Sequence, residues 1–223
     1  QQLSYAHHVF RNAMPAQPAI IYQNETSVVV EISWQQLIAK THVIQQQLKT
    51  LGVVKGDVVV CYGINSPETV AAFLATNALG AVWSSCSPDF GADAVCERFA
   101  QLAPKVLFAH QQYSYGGKAF DIKAKIKSIS DSIGSIQNIL LLDNHLSFDD
   151  APVAINQIHF ESVSFSDPIW VLFSSGTTGK PKAIVHGTGH MLLEHLKALA
   201  LHQDVRVGER YFWYSTTGWM MWN

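Results

Sequence analysis

The stretch DVVVCYGINSPETVAAFLATNALGAVWSS, residues 57–85, reveals the architecture, because it reads as a strand, a helix and a second strand in succession. DVVVCYG (57–63) is apolar without alternation, the pattern of a strand covered on both faces. Ser66 then caps a helix and Pro67 takes its first position, where the missing N–H costs nothing. Gly80 closes the helix, and AVWSS (81–85) forms the next strand.

Downstream the same alternation continues. CSPDFG leads into a helix with Val95, Phe99 and Leu102 on one side, which ends before Pro104. KVLFA (105–109) is a strand, and HQQYSYGGKAF reads as a loop. Ile122, Ile126, Ile129 and Ile133 mark a further helix ended by Gly134, and QNILLLD (137–143) is another strand. Upstream, AIIY (19–22) and SVVVEI (27–32) flank the turn-like Asn24-Glu25-Thr26 and predict a small hairpin. Ser33 and Gln36 then form a capping pair. Trp34, Leu37, Ile38, Ile44, Leu48 and Leu51 follow at helical spacing as far as Gly52.

Apolar strands alternating with amphipathic helices predict an α/β fold with a doubly wound, mostly parallel sheet and flanking helices. The predicted organisation is a lead-in and hairpin over 1–32, a first α/β unit over 33–143, a polar connector over 144–168, and a second unit over 169–223. That second unit begins with a strand at 169–173 and a glycine-rich loop. Strand AIVH (183–186), a helix near 189–202 and strand YFWYS (211–215) follow. Ligands of such sheets sit beyond the carboxyl ends of the strands.

The 223 residues are 48% hydrophobic, enough to fill a core. Fifteen basic and 17 acidic residues give a formal net charge of −2, with no block of either sign, which disfavours a nucleic-acid or membrane partner. Three cysteines, Cys61, Cys86 and Cys96, lack metal-ligand spacing, as do the ten histidines, so no metal site is expected. A reduced, cytoplasmic setting is the corresponding expectation. The chain starts at Gln1 without methionine and stops at Asn223, just after the aromatic YFWYSTTGWMMWN, and so reads as a piece of a longer protein.

FSSGTTGKPK (173–182) places permissive and hydroxyl residues directly behind an apolar strand. Glycines allow successive N–H groups to converge on an anion, Ser174, Ser175, Thr177 and Thr178 add hydroxyl donors, and Lys180 and Lys182 add charge. The same composition makes an exposed turn. Only two residues separate Gly176 from Gly179, and Lys180 precedes Pro181, so this is not the common P-loop of nucleotide triphosphatases.

SSGTTGKPK closely resembles the phosphate-binding signature of adenylate-forming enzymes, the superfamily of acyl-CoA synthetases, adenylation domains and luciferases. Ala183 stands where most of that superfamily has glycine. Further segments narrow the resemblance to the acetoacetyl-CoA synthetases: NSPETVAAFLATNALGAVWSSCSPDFG (65–91), PKVLFA (104–109), YGGKAFD (115–121), PKAIVHG (181–187) and TTGWMMWN (216–223). The likeness covers nearly the whole chain and corresponds to the first part of such an enzyme.

The resemblance implies an ATP-dependent ligase that activates acetoacetate as an acyl-adenylate and transfers it to CoA, with Mg²⁺ accompanying ATP. Ser174, Ser175, Gly176, Thr177, Thr178, Gly179, Lys180 and Lys182 would hold the β- and γ-phosphates. Tyr115, Gly116, Gly117 and Lys118 resemble the segment that meets the nucleotide end of CoA, although a plain Gly-Gly turn fits them equally. Gly218, Trp219, Met220 and Met221 match an acyl-pocket segment, and core packing is the alternative. His186 is expected to be structural. The catalytic residues of the family would fall after residue 223, which would leave this stretch inactive alone. Another short-chain acyl-CoA synthetase, or a non-catalytic nucleotide or acyl-CoA binding module, remains a rival reading.

Overall fold

The computed structural model describes residues 2–25, 27–143, 153–174 and 179–223. Strand β1 (Gln2–Leu3) and helix α1 (Tyr5–Phe10) precede the hairpin of β2 (Pro18–Tyr22) and β3 (Val30–Ser33), which pairs antiparallel. Helix α2 (Trp34–Thr50) begins on the Ser33–Gln36 capping box, in which each side chain satisfies the other residue's amide. Strand β4 (Val58–Tyr62) leads to α3 (Pro67–Ala78), capped by Ser66 with Pro67 in its first turn, and Gly80 beyond it takes a left-handed φ of 66°. Strand β5 (Val82–Cys86), helix α4 (Ala92–Phe99) with a further 3-10 turn, and strand β6 (Val106–Ala109) complete the expected alternation.

Two strands then appear where the sequence reads as a loop. β7 (Gln112–Tyr115) and β8 (Lys118–Asp121) pair antiparallel across Gly116-Gly117, whose φ values of 60° and 73° match the two-residue turn that suits twisted hairpins. Helix α5 (Lys123–Ser132) and strand β9 (Asn138–Leu141) follow. Of the predicted connector, 144–152 lie outside the described residues. The rest includes β10 (Val163–Ser164), which pairs with β1, and a segment held by the buried Gln45, whose amide bonds both the N–H and the C=O of His159. Strands β11 (Pro168–Ser174) and β12 (Lys182–Gly187) and helix α6 (Thr188–Lys197) end the regular structure with a short π-helical turn to His202.

Among the described residues the central sheet runs β12-β11-β5-β4-β6-β9. β4 pairs parallel with β5 and β6, β6 with β9, and β11 with β5, whereas β12 is antiparallel. The pleat divides β4 between two cores. Val59 and Cys61 pack with Leu37, Ile44 and Leu48 of α2 and with Ala71 and Ala75 of α3, while Val60 and Tyr62 pack with Val95 and Phe99 of α4 and Ile126 and Ile129 of α5. Both faces are therefore covered, as the doubly wound reading requires. Trp83 and Trp170, opposite each other in the β5–β11 pair, are fully buried, and a side chain of this size contributes roughly 3 kcal/mol on burial.

The expected strand at 211–215 is absent: these residues pair with no described strand, and Phe212 and Tyr214 are about four-fifths exposed. An apolar sequence has the side chains of a strand, but a strand also needs a neighbouring edge to satisfy its N–H and C=O groups. No described helix is long and apolar enough to cross a membrane.

Candidate functional site

All parallel strands deliver their carboxyl ends to one edge of the sheet. There the chain order of β4, β5 and β6 places β5 and β6 on opposite sides of β4, a topological switch point. Three groups of sequence-predicted residues gather at or near this edge.

The glycine-rich loop joins β11 to β12, whose last ladder pair is Ser174 with Lys182. Ser175, Gly176, Thr177 and Thr178 lie outside the described residues. Gly179 has φ 90° and open space where a Cβ would stand, so its absence of side chain serves backbone conformation rather than packing. Pro181 is buried, and its carbonyl accepts a 3.1 Å bond from Gln101 Nε2, which fixes the loop's exit to the turn after α4. Lys180 and Lys182 are exposed and make no ion pair with a described residue. Two ammonium groups with no counter-charge among the described residues, where the buried strand β11 ends, favour an anionic ligand.

The segment 216–223 crosses the ends of β4 and β5. Thr217, 1% exposed, donates to the Gly63 carbonyl at 2.6 Å and accepts from Ser85 Oγ at 2.6 Å. Gly218 lies so close to the turn after β5 that a Cβ would meet the Ser87 amide nitrogen at 2.9 Å. Beyond this anchor Trp219, Met220 and Met221 are exposed, while Trp222 packs edge-on against Phe73 and donates to Asn65 Oδ1 at 3.0 Å.

The β7–β8 hairpin carries the third group. Tyr113 and Phe120 stack with ring centroids 4.9 Å apart, and Tyr115 and Lys118 are exposed. The amides of Gly116 and Gly117 donate to the two oxygens of the Glu25 carboxylate, both at 2.9 Å. Between this hairpin and β2–β3 opens a cavity of about 790 Å³, lined by Tyr22, Glu25, Ile64, Asn65, Tyr113 and Asp143 among others. Asn65 thus touches both the cavity and the 216–223 segment, but no hydrogen bond between described residues links loop, hairpin and 216–221 directly.

Sequence reading missed three residues that shape this edge. Tyr62 reaches from β4 to within 2.8 Å of the Pro88 and Phe90 carbonyls, tying down the SPDFG turn, and burial pushes its phenol pKa upward. His110, 3% exposed at the end of β6, sets Nε2 3.3 Å from Ser66 Oγ and leaves Nδ1 without a hydrogen-bond partner among the described residues. Burial lowers its pKa to about 4. Its ring also explains Gly63, where a Cβ would stand 2.6 Å from His110 Nδ1. Glu25 is the third. Burial pushes the Cys86 thiol up to about 12, and that of Cys61 up as well, so neither is a thiolate nucleophile at neutral pH. His186 rests against Trp170, ring centroids 6.3 Å apart.

The described residues of the loop offer the Ser174 hydroxyl, backbone amides and two lysine ammonium groups, a donor set for phosphate oxygens rather than for a dication. No group of three or more potential metal-ligating side chains occurs among the described residues.

Comparison with known proteins gives a consistent result. The family model for AMP-binding enzyme matches residues 8–222. Acetoacetyl-coenzyme A synthetase of Rhizobium meliloti (strain 1021) is 38% identical over 240 residues, covering 100% of this chain, and acetoacetyl-CoA synthetase of Mus musculus is 33% identical over 242 residues, again with 100% coverage. The solved acetoacetyl-CoA synthetase from Streptomyces lividans superposes with a TM-score of 0.91 at 42% identity over 99% of the chain. The chain spans 36% of the length of each of these three proteins.

Proposed function

Because this chain belongs to the AMP-binding enzyme family, we propose that it supplies the phosphate-binding loop and part of the thiol and acyl sites of an AMP-forming acetoacetate–CoA ligase. The reaction has two steps. A carboxylate oxygen attacks the α-phosphorus of ATP and expels diphosphate, and the CoA thiolate then attacks the acyl carbon and expels AMP. The protein's part is to orient the reactants and neutralise charge as it shifts.

Ser174, Gly179, Lys180 and Lys182, together with Ser175, Gly176, Thr177 and Thr178, hold the β- and γ-phosphates. The loop's ammonium groups neutralise phosphate charge, to which a Mg²⁺ carried in with the nucleotide would add. Lys182 is held in register by its ladder pairing with Ser174, which makes it the better-placed of the two cations. Tyr115, Gly116, Gly117 and Lys118 receive the nucleotide end of CoA. Gly218 permits the 216–221 segment to lie on the β5 turn, so that Trp219, Met220 and Met221 can wall a short acyl chain. The free cysteines Cys61, Cys86 and Cys96 support a reducing, cytoplasmic setting.

One observation carries this reading: the β11–β12 loop combines a glycine-favouring backbone angle at Gly179 with two exposed lysines that make no ion pair with a described residue, at the ligand edge of a doubly wound sheet. The test is diphosphate release by the complete protein with acetoacetate, acetate, propionate and 3-hydroxybutyrate. Acetoacetate should be preferred at least tenfold in kcat/KM, a discrimination within reach of a few contacts worth about 1.4 kcal/mol in all. A comparable preference for another of these acids would replace acetoacetate as substrate.

A further inference from the structure

The Gly116–Gly117 turn does not need Glu25. Its two glycines already close the hairpin through the Tyr115–Lys118 pair, and their positive φ values aim two successive N–H groups outward. Those N–H groups nevertheless hold both oxygens of a carboxylate 91 and 92 residues away in sequence. A pair of converging backbone donors is a small oxyanion cradle, and the fork of a carboxylate presents it with the same two oxygens that a phosphate would.

Three surrounding features bear on its use. Glu25 sits in the exposed β2–β3 turn, where it can swing away without disturbing the core. It lines the cavity between the two hairpins, and its bonds to Gly116 and Gly117 tie together the hairpins that flank that cavity. Lys118, the next residue after the cradle, is exposed and makes no ion pair with a described residue. The two amides also draw the Glu25 carboxyl below its usual pKa, Gly117 having the larger effect, so the anion is present throughout the neutral range.

We infer that Glu25 is a resident anion of the Gly116–Gly117 cradle, one that a phosphate group of the thiol cosubstrate must displace, freeing the β2–β3 turn from the β7–β8 hairpin as it binds. This rests on the placement of CoA at the hairpin proposed above. It goes further in making the apparent affinity for CoA depend on a side chain from another part of the chain, since only the unlatched fraction is ready to bind.

The test uses the complete protein with ATP and acid saturating, and measures KM for CoA and for dephospho-CoA in wild type, Glu25→Gln, Glu25→Ala and Lys118→Ala. Removing the resident anion should lower KM for CoA about fivefold in both Glu25 variants, with KM for ATP unchanged. A gain lost with dephospho-CoA assigns the cradle to the 3′-phosphate, and a gain retained assigns it to the diphosphate. Glu25→Gln keeps the shape of the side chain, so a folding defect cannot mimic the result. Lys118→Ala tests the CoA placement separately by raising KM for CoA. If Lys118→Ala raises it while neither Glu25 variant lowers it, the placement stands and the latch is overturned. If none of the three variants alters KM for CoA, both fall.

Discussion

Gly218 and Ser87, 131 positions apart in the chain, approach so closely that a Cβ on the glycine would stand 2.9 Å from the serine's amide nitrogen. The neighbouring Thr217 clamps the same junction through Gly63 and Ser85. Backbone cannot give way as the tip of a side chain can. Gly218→Ala should therefore destabilise the protein by about 1–3 kcal/mol through overpacking, measured by denaturant unfolding, and Gly91→Ala, where a Cβ meets nothing within 4 Å, should cost far less.

His110 predicts a pH dependence. Its folded pKa is lowered from 6.5 to about 4 by burial, so between those values the unfolded chain carries a proton that the folded protein refuses. Unfolding then takes up a proton, and stability falls as pH drops through that window, by up to about 3 kcal/mol from this residue. The stability of His110→Gln, followed from pH 7 to pH 4, should fall less steeply than that of the wild type. Equal slopes would mean that His110 is solvated.

The β7–β8 turn requires left-handed backbone at two positions. Gly117→Ala should cost about 1–2 kcal/mol in that hairpin, and Gly117→Asn less, because asparagine tolerates the conformation better. An exposed hairpin is expected to open locally, so the effect belongs in the hydrogen exchange of the 112–121 amides rather than in the global midpoint.

The strands that the sequence displays most plainly are those whose burial is most complete. Val59 to Tyr62 and Val106 to Ala109 are covered on both faces, leaving an unbroken apolar run, and Ser33–Gln36 and Ser66–Pro67 announce their helices locally. β7 and β8 escaped because their residues are mostly exposed and mix polar with aromatic; only the Tyr113–Phe120 stack marks them as a pair. YFWYS misled for the opposite reason, having a strand's side chains without a partner edge. At the candidate site, Lys180 and Lys182 can be proposed from sequence because the loop's chemistry is contiguous. The partnership of Glu25 with Gly116 and Gly117 has no local signature, nor does a lone His110, since each depends on what the fold brings alongside it.

On the function proposed above, the loop between Ser174 and Lys182 serves the phosphates lost in the first step and has no part in the second. The two half-reactions of the complete protein, ATP–diphosphate exchange and thioester formation from preformed acyl-adenylate, separate these directly in a Lys182→Ala variant. Losing one phosphate-neutralising ammonium should slow exchange by about 10²-fold or more while thioester formation stays within about twofold of wild type, RT ln 2 being only about 0.4 kcal/mol. Equal slowing of both half-reactions, or undiminished exchange, would contradict the assignment of this loop.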